Sequence, residues 1–160
     1  MVLPPDHVLI AAGWIRVPVR RIRIKSRPRV GQVYWVDFPK DADPPEFVGE
    51  HPGIVIRAAR GLLDTCVVIP MSTAAQSRPH LVHALKTNPI PRSGGRLTHA
   101  ICDHFYTVHV NRLRPLVSAT GQPVFPKVTA DDFSEISRKV RLVLSVMLET
   151  SAQALGQATE

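Results

Sequence analysis

Between residues 31 and 117 the chain changes direction every few residues, and this most constrains its fold. Short β-branched and aromatic runs alternate with proline- and glycine-bearing breaks, so no long helix fits there. Gln32–Phe38 (QVYWVDF), Gly53–Arg57 (GIVIR), Asp64–Met71 (DTCVVIPM) and His80–Leu85 (HLVHAL) each read as a strand. Thr98–Val110 (THAICDHFYTVHV) reads as a strand pair or one bent strand. Lys40–Glu50 is an acidic loop around Pro44, Pro45 and Gly49; Arg60–Leu62 is a turn, and Thr87–Gly95 a second loop. Short strands at this spacing build a small barrel or a sandwich.

From Thr129 the apolar period switches to that of a helix. Phe133, Ile136, Val140, Val143, Leu144, Met147 and Leu148 fall on one face. Thr129 is a natural N-cap with Asp132 three residues on, and Asp131, Asp132 and Glu135 suit the positive end of the helix dipole. The helix is expected to end near Thr150, leaving 151–160 as a loose tail. No apolar run approaches the roughly 18 residues that span a bilayer. Nothing at the N-terminus has the order of a secretory signal, so a cytoplasmic protein without membrane association is expected. Cys66 and Cys102 sit in apolar segments and read as buried free thiols.

Charge is lopsided. The chain carries +7, of which residues 1–36 hold +6: Arg16, Arg20, Arg21, Arg23, Lys25, Arg27 and Arg29 against Asp6. A segment this basic meets polyanions or remains a solvated arm. Residues 1–29 thus read as a basic arm or an extra edge strand, with Val17, Val19, Ile22 and Ile24 set among the cations. The seven histidines have no zinc spacing, and cysteines 36 residues apart supply no C-x-x-C, so no metal and no cofactor are expected.

Four motifs then occur in order: GQVYWVDF at Gly31–Phe38, GEHPGIVI at Gly49–Ile56, VVIPMST at Val67–Thr73 and ICDHFYTVHVNRL at Ile101–Leu113. Together they resemble the MazF/PemK family of toxin endoribonucleases over roughly residues 30–117, and the final helix continues the likeness. The resemblance implies a mainly β fold, a small SH3-like (MazF/CcdB-like) barrel with a C-terminal amphipathic helix, over residues 30–150. It implies a type II toxin cutting single-stranded RNA without metal by attack of the 2′-hydroxyl, a homodimer, and an antitoxin whose acidic segment folds across the groove. The chain's apolar strand surface, more than one small barrel and one helix cover, also favours pairing. A gyrase-poisoning relative and an inactive nucleic-acid-binding barrel are the alternative readings.

In that family the site joins a basic residue before a proline to a hydroxyl residue after the third motif's proline. The matching positions are His51, standing where the family has Arg, and Ser72, where it has Thr, with Thr73 next to it; His104 replaces the Gln of a D-Q pair. Histidine titrates near neutrality, so His51 suits proton transfer better than an arginine that stays charged. Its pH limb is expected near about 6.5, or moved by its neighbour Glu50. Ser72 and Thr73 can donate to phosphate. Arg57, Arg78, His104, Phe47 and the arm's Arg20, Arg21, Arg23 and Lys25 are candidate RNA contacts, with Phe47 the most exposed aromatic. As strand neighbours, Asp103 and His104 are expected to face apart, Asp103 holding loop backbone.

Overall fold

The computed structural model describes residues 23–43, 45–74, 78–91 and 93–157. Within them the chain forms β1 (Val33–Phe38), β2 (Gly49–Arg57), β3 (Thr65–Ser72), β4 (Val82–Ala84), β5 (His99–Ile101), β6 (Tyr106–His109), β7 (Leu113–Arg114), β8 (Leu116–Val117), β9 (Pro123–Val124) and α1 (Ala130–Gln157). Short 3-10 turns at Pro79–Leu81 and Val110–Arg112 lead into β4 and β7.

β1, β2 and β3 form an antiparallel meander, and the sheet runs β4-β5-β3-β2-β1-β7. Among the described residues its ladder does not close on itself, so the barrel is an open, curved sheet. β5 and β6 share one edge of β3: Met71 and Ser72 pair with Ala100 and His99, and Thr65–Val68 pair with His109–Tyr106. Thr98–Val110 is therefore a strand pair, and the four residues between the two strands leave the sheet. β2 and β3 slip register between Val55 and Arg57, a bulge that bends the sheet.

Alternation sorts each strand onto two cores. On one face Tyr34, Val36 and Phe38 meet Val55, Cys66, Val68, Val108 and Leu113, joined by Ile24 from the arm. On the other Val33, Ile54, Ile69 and Met71 meet Ala100, Cys102 and Leu116, and Ile136 of α1 closes this side. Each fully buried large aliphatic contributes about 1.5–3 kcal/mol. Gly53 is required where β1 crosses β2: a Cβ there would stand 2.8 Å from Val36 Cγ2 and 3.3 Å from the Ile69 carbonyl. Cys66 and Cys102 are free and buried, and burial pushes both thiols up to about 11.

The cap of α1 forms as expected. Thr129 Oγ1 accepts from the Asp132 amide (3.1 Å) and donates to its carboxylate (2.7 Å). Two features of the helix differ from expectation. It continues to Gln157, so 151–157 is helical rather than loose; 158–160 lie outside the described residues. Its apolar face is covered only as far as Val143. Beyond it Leu144, Met147 and Leu148 are exposed, because the sheet they would cover ends beneath the first half of the helix. The alternating arm falls mostly outside the described residues; 23–29 make no strand, and Ile24 and Pro28 are buried between exposed cations. No helix among the described residues is long and apolar enough to cross a membrane.

Candidate active site

His51 lies on β2 opposite Val36, on the face that carries Phe38. Glu50, one residue earlier, is turned to the other face, where its carboxylate lies 3.3 Å from Arg114 Nε. Glu50 thus pairs with Arg114, and the His51 ring has an aromatic neighbour as well. The acidic loop before β2 folds back, and Phe47 sets its ring edge-on to His51, with centroids 5.2 Å apart and planes at 89°. Phe38 and Tyr106 support it from below, at 5.9 Å from Phe47 and 4.7 Å from Phe38 respectively, and Tyr106 Oη accepts from the Phe47 amide at 3.0 Å. Phe47 is thus half-buried and fixed, not a free loop tip.

His104 also meets this ring, 5.8 Å away and again edge-on at 81°. It gets there because residues 102–105 turn out of the sheet between β5 and β6. Here the structure corrects the expectation from strand alternation. Asp103 and His104 occupy a turn, not a strand, so their side chains meet: His104 Nδ1 is 2.9 Å from Asp103 Oδ1. Arg78 completes the group with its guanidinium 3.1 Å from Asp103 Oδ2. Asp103 is thus engaged by two side chains rather than holding loop backbone. Pro45, Phe47, Arg78, Asp103 and His104 line a cavity of about 220 Å³ floored by Leu81, Val82 and Ile101.

Ser72 ends β3. The β2–β3 ladder ends at Gly53 and Pro70, two residues short of His51 and Ser72, and Ser72 pairs with His99 of β5. Ser72 Oγ accepts from the Ala74 amide at 3.1 Å, which uses a lone pair and leaves the hydroxyl proton to give. Thr73 follows outside the strand. Arg57 is elsewhere: six residues down β2 at about 3.3 Å each, it is about 20 Å from His51, beside Thr65. Arg23 and Lys25 are exposed on the arm, while Arg20 and Arg21 lie outside the described residues.

The assembly has two imidazoles on one phenylalanine, one held by a carboxylate that also meets an arginine. Asp103 accepting from His104 Nδ1–H leaves Nε2 as the exchangeable position. Such a set can move protons and supply positive charge. Among the described residues no group of three or more His, Cys, Asp or Glu gathers that could hold a metal ion. Sequence reasoning missed the Asp103–His104 and Arg78–Asp103 contacts; the available signal was Asp103 itself, a turn former inside a run otherwise read as strand.

Residues 29–144 match the family described as PemK-like, MazF-like toxin of type II toxin-antitoxin system. The chain belongs to this toxin family. Among solved structures, MazF from Deinococcus radiodurans is similar at 18% identity and a TM-score of 0.57, covering 75% of this chain and 98% of that one. A MazE-MazF structure from the same organism is similar at 19% identity and a TM-score of 0.52, covering 74% and 96%. At these identities the likeness concerns the MazF fold. No curated protein matches the chain.

Proposed function

We propose that this MazF/PemK-family chain is a metal-independent endoribonuclease that cleaves single-stranded RNA at the Phe47–His51–His104 cluster. The observation that supports this most directly is the pair of histidines held edge-on to one phenylalanine beside the Asp103-lined cavity. RNA brings its own nucleophile, so two proton-transfer groups and a few donors suffice. One imidazole, neutral, takes the proton of a 2′-hydroxyl as its oxygen bonds to phosphorus. The P–O5′ bond breaks, and the other imidazole, protonated, gives its proton to the leaving oxygen. The products are a 2′,3′-cyclic phosphate and a 5′-hydroxyl. Ser72, Thr73 and Arg78 supply hydrogen bonds and charge to the phosphate, and Phe47 offers an edge for a flanking base.

The family and the MazE-MazF structure support an antitoxin partner; an acidic segment of it would cover this face. A homodimer would bury the turn of α1 where Leu144, Met147 and Leu148 are exposed; light scattering showing a monomer at micromolar concentration removes it.

The test is single-turnover cleavage of labelled RNA in EDTA from pH 5 to 9. The parent should cut and show a limb in the histidine range. His51→Arg, restoring the family's residue, should keep appreciable activity with a pH profile flatter than the parent's. A parent that binds RNA and never cuts it overturns the enzymatic reading in favour of a binding-only barrel.

A further inference from the structure

We propose that the far end of the sheet, where residues 23–29 lie against the β2–β3 turn, is a second seat for the phosphate backbone of the same single-stranded RNA. The proposal rests on RNA being the substrate, but not on how it is cut.

Three observations carry it. First, the arm is fixed to this end of the sheet. Ile24 is buried against the core that holds Ala59 and Cys66. The Gly31 amide donates to the Val55 carbonyl (2.8 Å), the Val55 amide donates to the Gln32 carbonyl (2.9 Å), and Gln32 Oε1 accepts from the Arg29 amide (2.7 Å). These bonds hold Arg29 beside the end of β2 that carries Arg57. Second, Arg23, Lys25, Arg27, Arg29, Arg57 and Arg60 are all exposed, and among the described residues none of them is in an ion pair. The acid closest to them in the β2–β3 turn, Asp64, turns both carboxylate oxygens to backbone amides, of Arg60 (2.8 Å) and Thr65 (2.7 Å). Third, Arg57 and Arg60 border an open groove of about 450 Å³ at the turn, where two arginines outnumber the one carboxylate, Asp64, that also lines it.

The arm packs on the same sheet face that carries His51, about 20 Å away along β2. The face between the two ends is buried core, so an RNA joining them passes around the sheet and not across it. RNA fits better than an acidic peptide because it presents a charge at every residue, matching cations spread along an arm and a turn rather than gathered in one pocket. A nucleic acid that neutralises several cations releases counterions, so affinity must depend steeply on salt.

The experiment measures binding of fluorescent, uncleavable 2′-O-methyl RNAs of about four and about twenty nucleotides to the full chain over a salt series. The quadruple variant Lys25→Ala, Arg29→Ala, Arg57→Ala, Arg60→Ala should bind the long RNA at least tenfold more weakly at low salt. Its log–log salt slope should fall by about 0.7 for each phosphate that is no longer neutralised. Binding of the short RNA should change less than twofold. A matched variant on other surfaces, Arg96→Ala, Arg138→Ala, Lys139→Ala, Arg141→Ala, should leave the long-RNA slope nearly intact. Equal losses in both quadruple variants would reduce the effect to bulk charge and overturn the seat. So would a quadruple variant that binds long RNA like the parent, or one that loses only a polyglutamate peptide. If the parent binds neither RNA, the substrate assignment itself falls.

Discussion

Among the described residues, two histidine–aspartate pairs of nearly identical length have very different surroundings. His83 Nε2 lies 2.8 Å from Asp132 Oδ1, and His104 Nδ1 lies 2.9 Å from Asp103 Oδ1. Asp132 is completely buried, and its acceptor capacity is consumed inside the fold by His83, the Thr129 hydroxyl (2.7 Å) and the Lys86 amide (3.2 Å). These bonds tie β4 to the first turn of α1. Asp103 instead borders a cavity, shares its charge with the half-exposed Arg78, and steadies an imidazole that faces an aromatic neighbour. Distance alone does not distinguish a pair locked inside the fold from one that borders a cavity. The remaining coordination of the carboxylate, and what the imidazole faces, do.

The largest effect separating the two regions should come from His51, which lies against the same phenylalanine as His104. His51→Ala should slow cleavage about 100- to 10,000-fold, the usual worth of a positioned acid or base, while RNA affinity and thermal stability stay near the parent's. A variant that cuts as fast as the parent ends the assignment of His51.

Asp132→Ala should show the reverse pattern. It leaves His83 and the cap without their partner, and breaking a buried, multiply bonded pair costs about 3–5 kcal/mol. Urea denaturation should show the loss, and single-turnover rate per folded molecule should be unchanged. If cleavage falls and stability holds, the roles given to the two pairs are exchanged.

Asp103→Asn sharpens the comparison from the other side. The amide is isosteric and keeps the turn, but it removes a charged acceptor from His104 Nδ1 and from Arg78. A lost charge-assisted hydrogen bond is worth about 1.5–3 kcal/mol, so the rate should fall at least about tenfold. Stability should change far less than in Asp132→Ala. An unaltered rate would mean that Asp103 only shapes the loop.

Much of this was legible from residue types. The strands β1, β2 and β3, the switch to helical period after Thr129 and the Thr129 cap follow from local pattern, because alternation and capping are short-range rules. His51 and Ser72 were reached through the family resemblance alone; the β2–β3 ladder ends before either of them. The Asp103–His104 contact was not legible, because whether two neighbours face apart or together depends on whether the backbone is strand or turn. That was decided by β5 and β6 both pairing with one edge of β3, a long-range choice. Arg57 was assigned by type alone, and six residues of strand carried it away from the site. The exposed end of α1 was missed because periodicity defines an apolar face but not how much sheet lies beneath it.

The smallest effect separating the pairs is in acid. Burial pushes the Asp132 carboxyl up, but hydrogen bonds from His83, Thr129 and the Lys86 amide outweigh it, and the group is held below the ordinary carboxylate range. A folded-state value below the unfolded one means that the folded form binds fewer protons as pH falls. The stabilisation is therefore complete above the unfolded value of about 4 and is lost as pH descends through the lowered folded value. Between about pH 4 and 2 the parent's unfolding free energy should fall with an Asp132 contribution of at most about 1.4 kcal/mol per pH unit. Asp132→Asn, already weaker at neutral pH, should lack that part of the slope, so the two stability curves converge toward low pH. Urea titrations of both proteins at pH 7, 4, 3 and 2.5 measure the gap directly. A gap that stays constant across this range would show that Asp132 holds the helix through shape and neutral hydrogen bonds, without help from its charge.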